Sequence, residues 1–254
     1  MAQPDPDVTW AKLAEEPVDS ASRFNPDSLE GLPEPARRFL TRAVPNGVAL
    51  FPRVELRMVG RIKLGRKWKS FTAEQILRAG VGFVWRASVG GHLARFEGAD
   101  VLGPDGAGLR FALHGKLPVA RASGKGVARS AAGRLAAETV AWAPQALTPQ
   151  AGARWRPVDD DRAAVTLEAA GETVEVVVKV GADGELAELA LQRWNDSAKP
   201  QGLAPFGGSV SEVLVTSGGV QVAGRGRVGW EWGTPEQAEG EFFSYRVMEA
   251  IHRA

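Results

Sequence analysis

Arg134 and Glu138 stand four residues apart in the segment Arg134-Leu-Ala-Ala-Glu138-Thr-Val-Ala-Trp142-Ala-Pro144. Helical residues advance about 100° each, so Arg134, Glu138 and Trp142 fall within roughly 80° of one another. The remaining surface of such a helix is Leu135, Ala136, Ala137, Thr139, Val140, Ala141 and Ala143. The Arg–Glu pair is then the only charge on an apolar helix, with a Trp on the same side. Three roles fit that spacing. An exposed pair is worth roughly 0.2–0.5 kcal/mol, and Arg before Glu is the weaker order. A buried tie between helix and sheet costs roughly 3–5 kcal/mol when one partner is removed, because the other charge stays buried. A polar anchor in an apolar pocket would use Glu138 as acid or base and Arg134 as a clamp for anions.

Other reactive patterns are sparse. Cys is absent, which removes disulfides, thiolate zinc sites and Cys nucleophiles. His92, His114 and His252 have no ligand-spaced partners, so no metal and no cofactor is implied. Asp159-Asp-Asp161 lies between two strand patterns and reads as a solvated turn. It lacks the oxygen offsets of a Ca²⁺ loop. Gly224-Arg-Gly-Arg-Val-Gly229 matches G-x-G-x-x-G, but Trp230-Glu-Trp-Gly-Thr-Pro235 follows where a dinucleotide fold needs a helix. It reads as a strand-turn with glycines. No G-x-S-x-G elbow occurs. Arg53, Arg57, Arg61, Lys63, Arg66, Lys67 and Lys69 cluster in one hairpin against Glu55 alone. They form a solvated strand face or a patch for an anionic membrane surface. Nucleic acid is not expected, because no aromatic series interleaves with these charges.

The chain that must position these residues has 254 residues, 44% of them hydrophobic, and 31 Lys+Arg balance 30 Asp+Glu. That suits a globular protein with a large core and no global steering of nucleic acid. The first residues, Met1-Ala-Gln-Pro-Asp-Pro-Asp7, lack the basic and apolar regions of a signal peptide. No run reaches the roughly 18 apolar residues of a membrane span. The expectation is a cytoplasmic protein.

Residues 1–50 read as a helical arm, with helical spacing over 8–16 and a clear apolar stripe over 33–44. From residue 51 to 254 the pattern is a single β domain. Val54, Leu56, Met58, Ile62 and Leu64 share one face, and Val81, Phe83, Trp85, Ala87 and Val89 another; Leu109, Phe111 and Leu113 make a third. The central helix spans about 127–143. Strands resume over 154–158, 163–169, 174–180, 186–194, 210–216, 220–223 and 228–232, with a Pro/Gly loop over 195–208. The segment 241–252 fits strand or helix, and helix is the preferred reading. About ten strands with tight turns predict antiparallel meanders. Sheets of that size curl or close. The expected class is α+β: a large, strongly curved antiparallel sheet, like a half-barrel, wrapping a central helix.

Several stretches occur in a recognisable order. They are Trp68-Lys-Ser-Phe71-Thr-Ala-Glu74, Gly82-Phe-Val-Trp85-Arg-Ala, Gly133-Arg-Leu-Ala-Ala-Glu138 with Trp142 and Pro144, and Arg154-Trp155 with Val158-Asp159. Arg193-Trp194, Phe206-Gly-Gly208 and Gly229-Trp230 complete the set. This order resembles a bacterial domain family of unknown function, the DUF6920 type related to DUF6544, from about Pro33 to the C-terminus. The chain departs from that pattern at Gly219-Val-Gln-Val-Ala223, where a Gly-aromatic-x-x-Pro turn is expected. The resemblance implies that Arg134, Glu138, Trp142, Trp85 and Trp155 belong together, and it supplies no activity. The architecture is also similar to half-barrel carriers of lipoprotein and lipid, although fold does not settle function.

The leading expectation is a non-enzymatic binder or carrier of an apolar or amphipathic small molecule. Trp85, Trp142, Trp155 and Phe83 would line the site, and Arg134 and Glu138 would hold the ligand's polar end. One alternative is an enzyme with Glu138 as acid/base, Arg134 as electrostatic stabiliser and a second polar group such as Asp159 or His114. Another is a peripheral protein that meets anionic membranes through the 53–69 hairpin.

Overall fold

The computed structural model describes residues 3–15, 22–51, 53–91 and 94–253. Thirteen antiparallel strands form one sheet. The first six are β1 (Arg53–Leu64), β2 (Lys67–Arg78), β3 (Gly82–Gly91), β4 (Ala94–Gly103), β5 (Gly106–Leu113) and β6 (Leu117–Ser123). The other seven are β7 (Arg154–Pro157), β8 (Arg162–Ala169), β9 (Glu172–Val180), β10 (Leu186–Asn195), β11 (Gly202–Val215), β12 (Gln221–Trp230) and β13 (Glu241–Arg253). Their order in space is β6-β5-β4-β3-β2-β1-β13-β12-β11-β10-β9-β8-β7. Two meanders therefore join only where β1 pairs with β13. The meander is what short turns impose, since consecutive antiparallel strands need only a hairpin between them.

Helices α1 (Pro6–Glu15) and α2 (Glu34–Ala43) precede the sheet, α3 (Lys125–Trp142) links β6 to β7, and α4 (Gln237–Gly240) is a single turn before β13. Because β6 and β7 are the two outermost strands, α3 has to connect one edge of the sheet to the other. It touches β3, β4, β5 and β6 of one meander and β8, β9, β10 and β12 of the other. Its residues from Ser130 to Trp142 are buried almost all round, as an Ala-rich helix with no polar face requires. The main core joins α3 to Phe39 and Leu40 of α2 and to the inward residues of both meanders. A smaller cluster of Leu13, Ile76, Val84, Ala99 and Val101 lies under α1. These four strand residues alternate with Gln75, Leu77, Phe83 and Trp85, so α1 covers the opposite face of β2–β4. No helix is long and apolar enough to cross a membrane among the described residues.

Several sequence expectations need correction. The 241–252 segment is strand, not helix. Its register against β1 slips where Arg57 faces Glu249 and Met58 faces Val247, which leaves Met248 unpaired in a bulge. Buried Tyr245, Val247 and Ala250 are therefore spaced two and then three apart, and the three-residue step imitates a helix. The Pro/Gly loop ends at 201, because β11 begins at Gly202 and pairs Ala204, Phe206 and Gly208 with β10. Residues 221–223 and 228–230 of the two expected segments belong to one strand, β12, running through the G-x-G-x-x-G match. A Cβ on Gly226 would stand 2.4 Å from the Ser209 carbonyl oxygen and 2.9 Å from the Tyr245 hydroxyl, so close packing accounts for that glycine. Strands β2, β4 and β6 bring the count from about ten to thirteen. His92 and the last residue of the 8–16 segment lie outside the described residues.

Candidate functional site

Register carries four residues into one row across adjacent strands. Gln75 of β2 pairs with Trp85 of β3, Trp85 with Asp100 of β4, and Asp100 with Leu109 of β5. All four face α3. From the helix, Arg134 reaches back over this row. Its Nε donates to Glu138 Oε1 at 2.6 Å, and its Nη1 donates to Asp100 Oδ2 at 2.7 Å. Its Nη2 donates to Gln75 Oε1 at 3.4 Å. Gln75 in turn donates from Nε2 to Glu138 Oε2 at 2.6 Å. The guanidinium lies 4.3 Å from the centre of the Phe83 ring and 5.5 Å from that of Trp85, a cation–π arrangement. One Arg thus serves two carboxylates, and an amide closes the ring.

That sharing decides the titration of the cluster. Burial opposes the Arg134 cation, but Glu138 and then Asp100 more than offset it, and its pKa lies above the ordinary value. Burial is the largest influence on Glu138 as well. It pushes the carboxyl above the usual carboxylate range, and Arg134 and Gln75 only partly oppose it. Half a share of one cation does not compensate a largely desolvated carboxylate.

Beside the cluster lies a cavity of about 480 Å³. From α3 it is lined by Arg134, Ala137, Glu138, Ala141 and Trp142. These follow i, i+3, i+4, i+7, i+8 spacing, so one helix face meets the void. Trp85, Phe111, Phe243 and Tyr245 form much of the facing apolar wall, and Ile62, Leu64 and Val119 also border it. Leu64 and Val119 are among the exposed apolar residues of the molecule and mark the mouth. Phe71, Trp85 and Phe243 pack edge-on and stacked at 4.9–6.1 Å, and Trp142 meets Tyr245 edge-on at 5.6 Å. The Trp142 indole N–H donates to the Ala223 carbonyl. Burial, and next the Glu138 charge, raise the Tyr245 pKa.

The sequence candidates divide. Arg134, Glu138, Trp142 and Trp85 border the cavity. Phe83 does not; it is fully buried beneath the Arg134 guanidinium. Trp155 sits on β7 and donates to the Leu147 carbonyl at 2.8 Å, away from the void. Asp159 is exposed and holds Arg162 at 2.8 Å. His114 is exposed in the turn after β5. Neither comes to Glu138. In their place the fold supplies Asp100, Gln75 and Arg193. Each is a polar residue at an inward position of strand alternation, Arg193 following Leu189 and Leu191 on β10. That misfit was the available signal. No group of three or more His, Asp or Glu side chains is arranged to hold a metal ion among the described residues.

The basic hairpin is partly neutralised. Arg53 and Glu55 are 3.0 Å apart, Arg57 and Glu249 3.6 Å, and Lys63 donates to the Glu239 carbonyl. Arg61 lies over the Trp68 ring. Arg61, Arg66, Lys67 and Lys69 form no ion pair among the described residues.

A family model, described as a family of unknown function, matches residues 22–242. Among solved structures, a LolA superfamily protein from Nitrosomonas europaea is similar at 10% identity and a TM-score of 0.43. The match covers 87% of this chain and 92% of that one. A DUF1329 family protein from Desulfovibrio piger is similar at 12% identity and a TM-score of 0.34, over 79% of this chain and 85% of that one. No curated protein matches the chain.

Proposed function

We propose that this chain, which belongs to the DUF6544 family of unknown function, is a non-enzymatic binder of an apolar or amphipathic small molecule. In this reading the sheet curls around α3 and keeps a ligand space between them. A flat sheet would set β4 and β9 about 38 Å apart at roughly 4.8 Å per strand. Helix α3 touches both, which favours a strongly bent sheet. The single observation that carries the proposal is the cavity of about 480 Å³ bounded by Trp85, Phe111, Trp142, Phe243 and Tyr245, with its charged lining limited to Asp100, Arg134, Glu138, Arg193 and Arg227. Ligand sites have this form: roughly 300–1,000 Å³, mostly apolar, with a small number of placed polar groups. Both Glu138 oxygens already accept hydrogen bonds, which favours a positioning role over acid/base work.

The mouth adds a route. Ile62 and Leu64, which border the cavity, belong to the hairpin whose tip carries Arg66 and Lys67. A basic tip beside an apolar opening would present that opening to an anionic membrane surface.

The test is direct. Protein purified under native conditions from two or more hosts is extracted with organic solvent, and the extract is read by mass spectrometry. An amphiphile in near-stoichiometric amount is expected. Extracts no richer than the solvent blank from every host sink the reading.

A further inference from the structure

Arg134 and Arg193, two of the three arginines that line the cavity, stand in different states. Arg134 is fully committed, with Nε, Nη1 and Nη2 directed at Glu138, Asp100 and Gln75. Arg193 is not. Its Nε donates to the Ser130 carbonyl at 2.9 Å, and its Nη2 donates to Ser130 Oγ at 3.3 Å. Both bonds use the side edge of the guanidinium. The end edge, made by Nη1 and the second Nη2 hydrogen, has no protein acceptor among the described residues. No carboxylate stands within ion-pair distance of it there.

The rest of its surroundings hold the group in place. Phe206 and Trp230 lie 4.5 and 5.2 Å from the guanidinium carbon. Gly133 of α3 leaves space for the stem, since a Cβ there would stand 2.9 Å from Arg193 Cγ. The side chain borders both the 480 Å³ cavity and a neighbouring one of about 370 Å³. Burial, and next the like charge of Arg134, lower its pKa to about 10, so the cation persists at neutral pH. Two more donors on the wall of the larger cavity have no acceptor among the described residues. They are the buried Trp85 indole N–H and the hydroxyl of Tyr245, itself 7% exposed.

We infer that Arg193 binds the head of a carboxylate-headed amphiphile whose tail lies along the aromatic wall of the cavity. The inference rests on the cavity reading above and names its ligand class. A carboxylate fits the end edge of a guanidinium as two parallel hydrogen bonds. It brings a single negative charge to a guanidinium edge that has no protein acceptor among the described residues. A doubly charged phosphate monoester would add excess charge beside Asp100 and Glu138, and a neutral lipid would provide no anion for the end edge.

Cis-parinaric acid and its methyl ester, which share one fluorescent tail, test this by titration into the full chain. Wild type is expected to bind the acid at least ten-fold more tightly than the ester. R193Q is expected to lose that preference and keep the ester affinity. R193K, which retains the charge without the planar fork, is expected to fall between them. Equal affinity of acid and ester in wild type overturns the inference and leaves the cavity reading standing. Binding of neither overturns both. A thermal melt shows whether each variant is folded; the wild-type comparison decides the matter if they are not. Preference that survives in folded R193Q but disappears in R227Q, at the more exposed Arg of the same cavity, also overturns it.

Discussion

At the residue scale the central arrangement is one guanidinium held by two carboxylates and an amide, next to an apolar void. Arg134 and Glu138 were legible in the sequence because their separation of four is a property of the helix alone. Gln75 and Asp100 were not, because a polar residue in a strand shows its facing only once its neighbours are known. The cluster predicts an asymmetric mutational response. Arg134→Met leaves Asp100 and Glu138 buried without a cation and is expected to cost about 3–5 kcal/mol in urea unfolding. Adding Asp100→Asn and Glu138→Gln to that variant is expected to restore most of the loss, since no unmatched charge then remains. A cost below about 1 kcal/mol for Arg134→Met alone would mean that the carboxylates are solvated through the cavity and that the tie is weak.

At the element scale, β13 and the end of α3 depend on one another. The ring of His252 on β13 meets the Trp142 carbonyl through Nε2 at 2.9 Å and the Gln145 amide through Nδ1 at 3.0 Å. With Gln145 Nε2 as donor, Nδ1 accepts and Nε2 carries the proton, so the neutral ring satisfies both contacts. Burial lowers its pKa from 6.5 to about 4, and the Trp142 contact opposes that only in part. The unfolded chain therefore takes up the proton first. The contribution to stability is complete above pH 6.5 and is lost as pH falls from there through about 4, reaching about 3 kcal/mol. Urea midpoints for wild type and His252→Gln at pH 7.5 and 4.5 check this. The gap between the two proteins should shrink at the lower pH, and an unchanged gap would remove His252 from the acid response. The same strand shows why its class was misread. The bulge at Met248 shifts the buried positions by one, and periodicity alone cannot distinguish a bulged strand from a short helix.

At the scale of the whole molecule, two meanders share one central pair of strands, and one helix connects their outer edges. This places a cavity between helix and sheet and sets the basic hairpin at its mouth. If the hairpin docks, the protein should co-sediment with vesicles containing phosphatidylserine at 50 mM salt and be released at 500 mM. Each engaged Lys or Arg contributes about 1 kcal/mol near such a surface, and salt screens it. No co-sedimentation at either salt would leave Arg66, Lys67 and their neighbours as a solvated face. Strand alternation and tight turns made the antiparallel meanders legible before any coordinates. Of the missed strands, β2 and β4 carry Gln75 and Asp100 inward, and those polar residues interrupt the alternation that identifies a strand.

The sequence by itself determined the element types over most of the chain, the apolar character of α3 and the pairing of Arg134 with Glu138, because hydrophobic period and helical spacing are local. Only the tertiary structure decided which face of α3 meets the void, that Asp100 shares Arg134 with Glu138, and that Arg193 borders the same space with no carboxylate in ion-pair distance among the described residues. Those facts follow from register between strands far apart in the chain. A slip of one residue would turn Asp100 or Arg193 to the opposite face of the sheet.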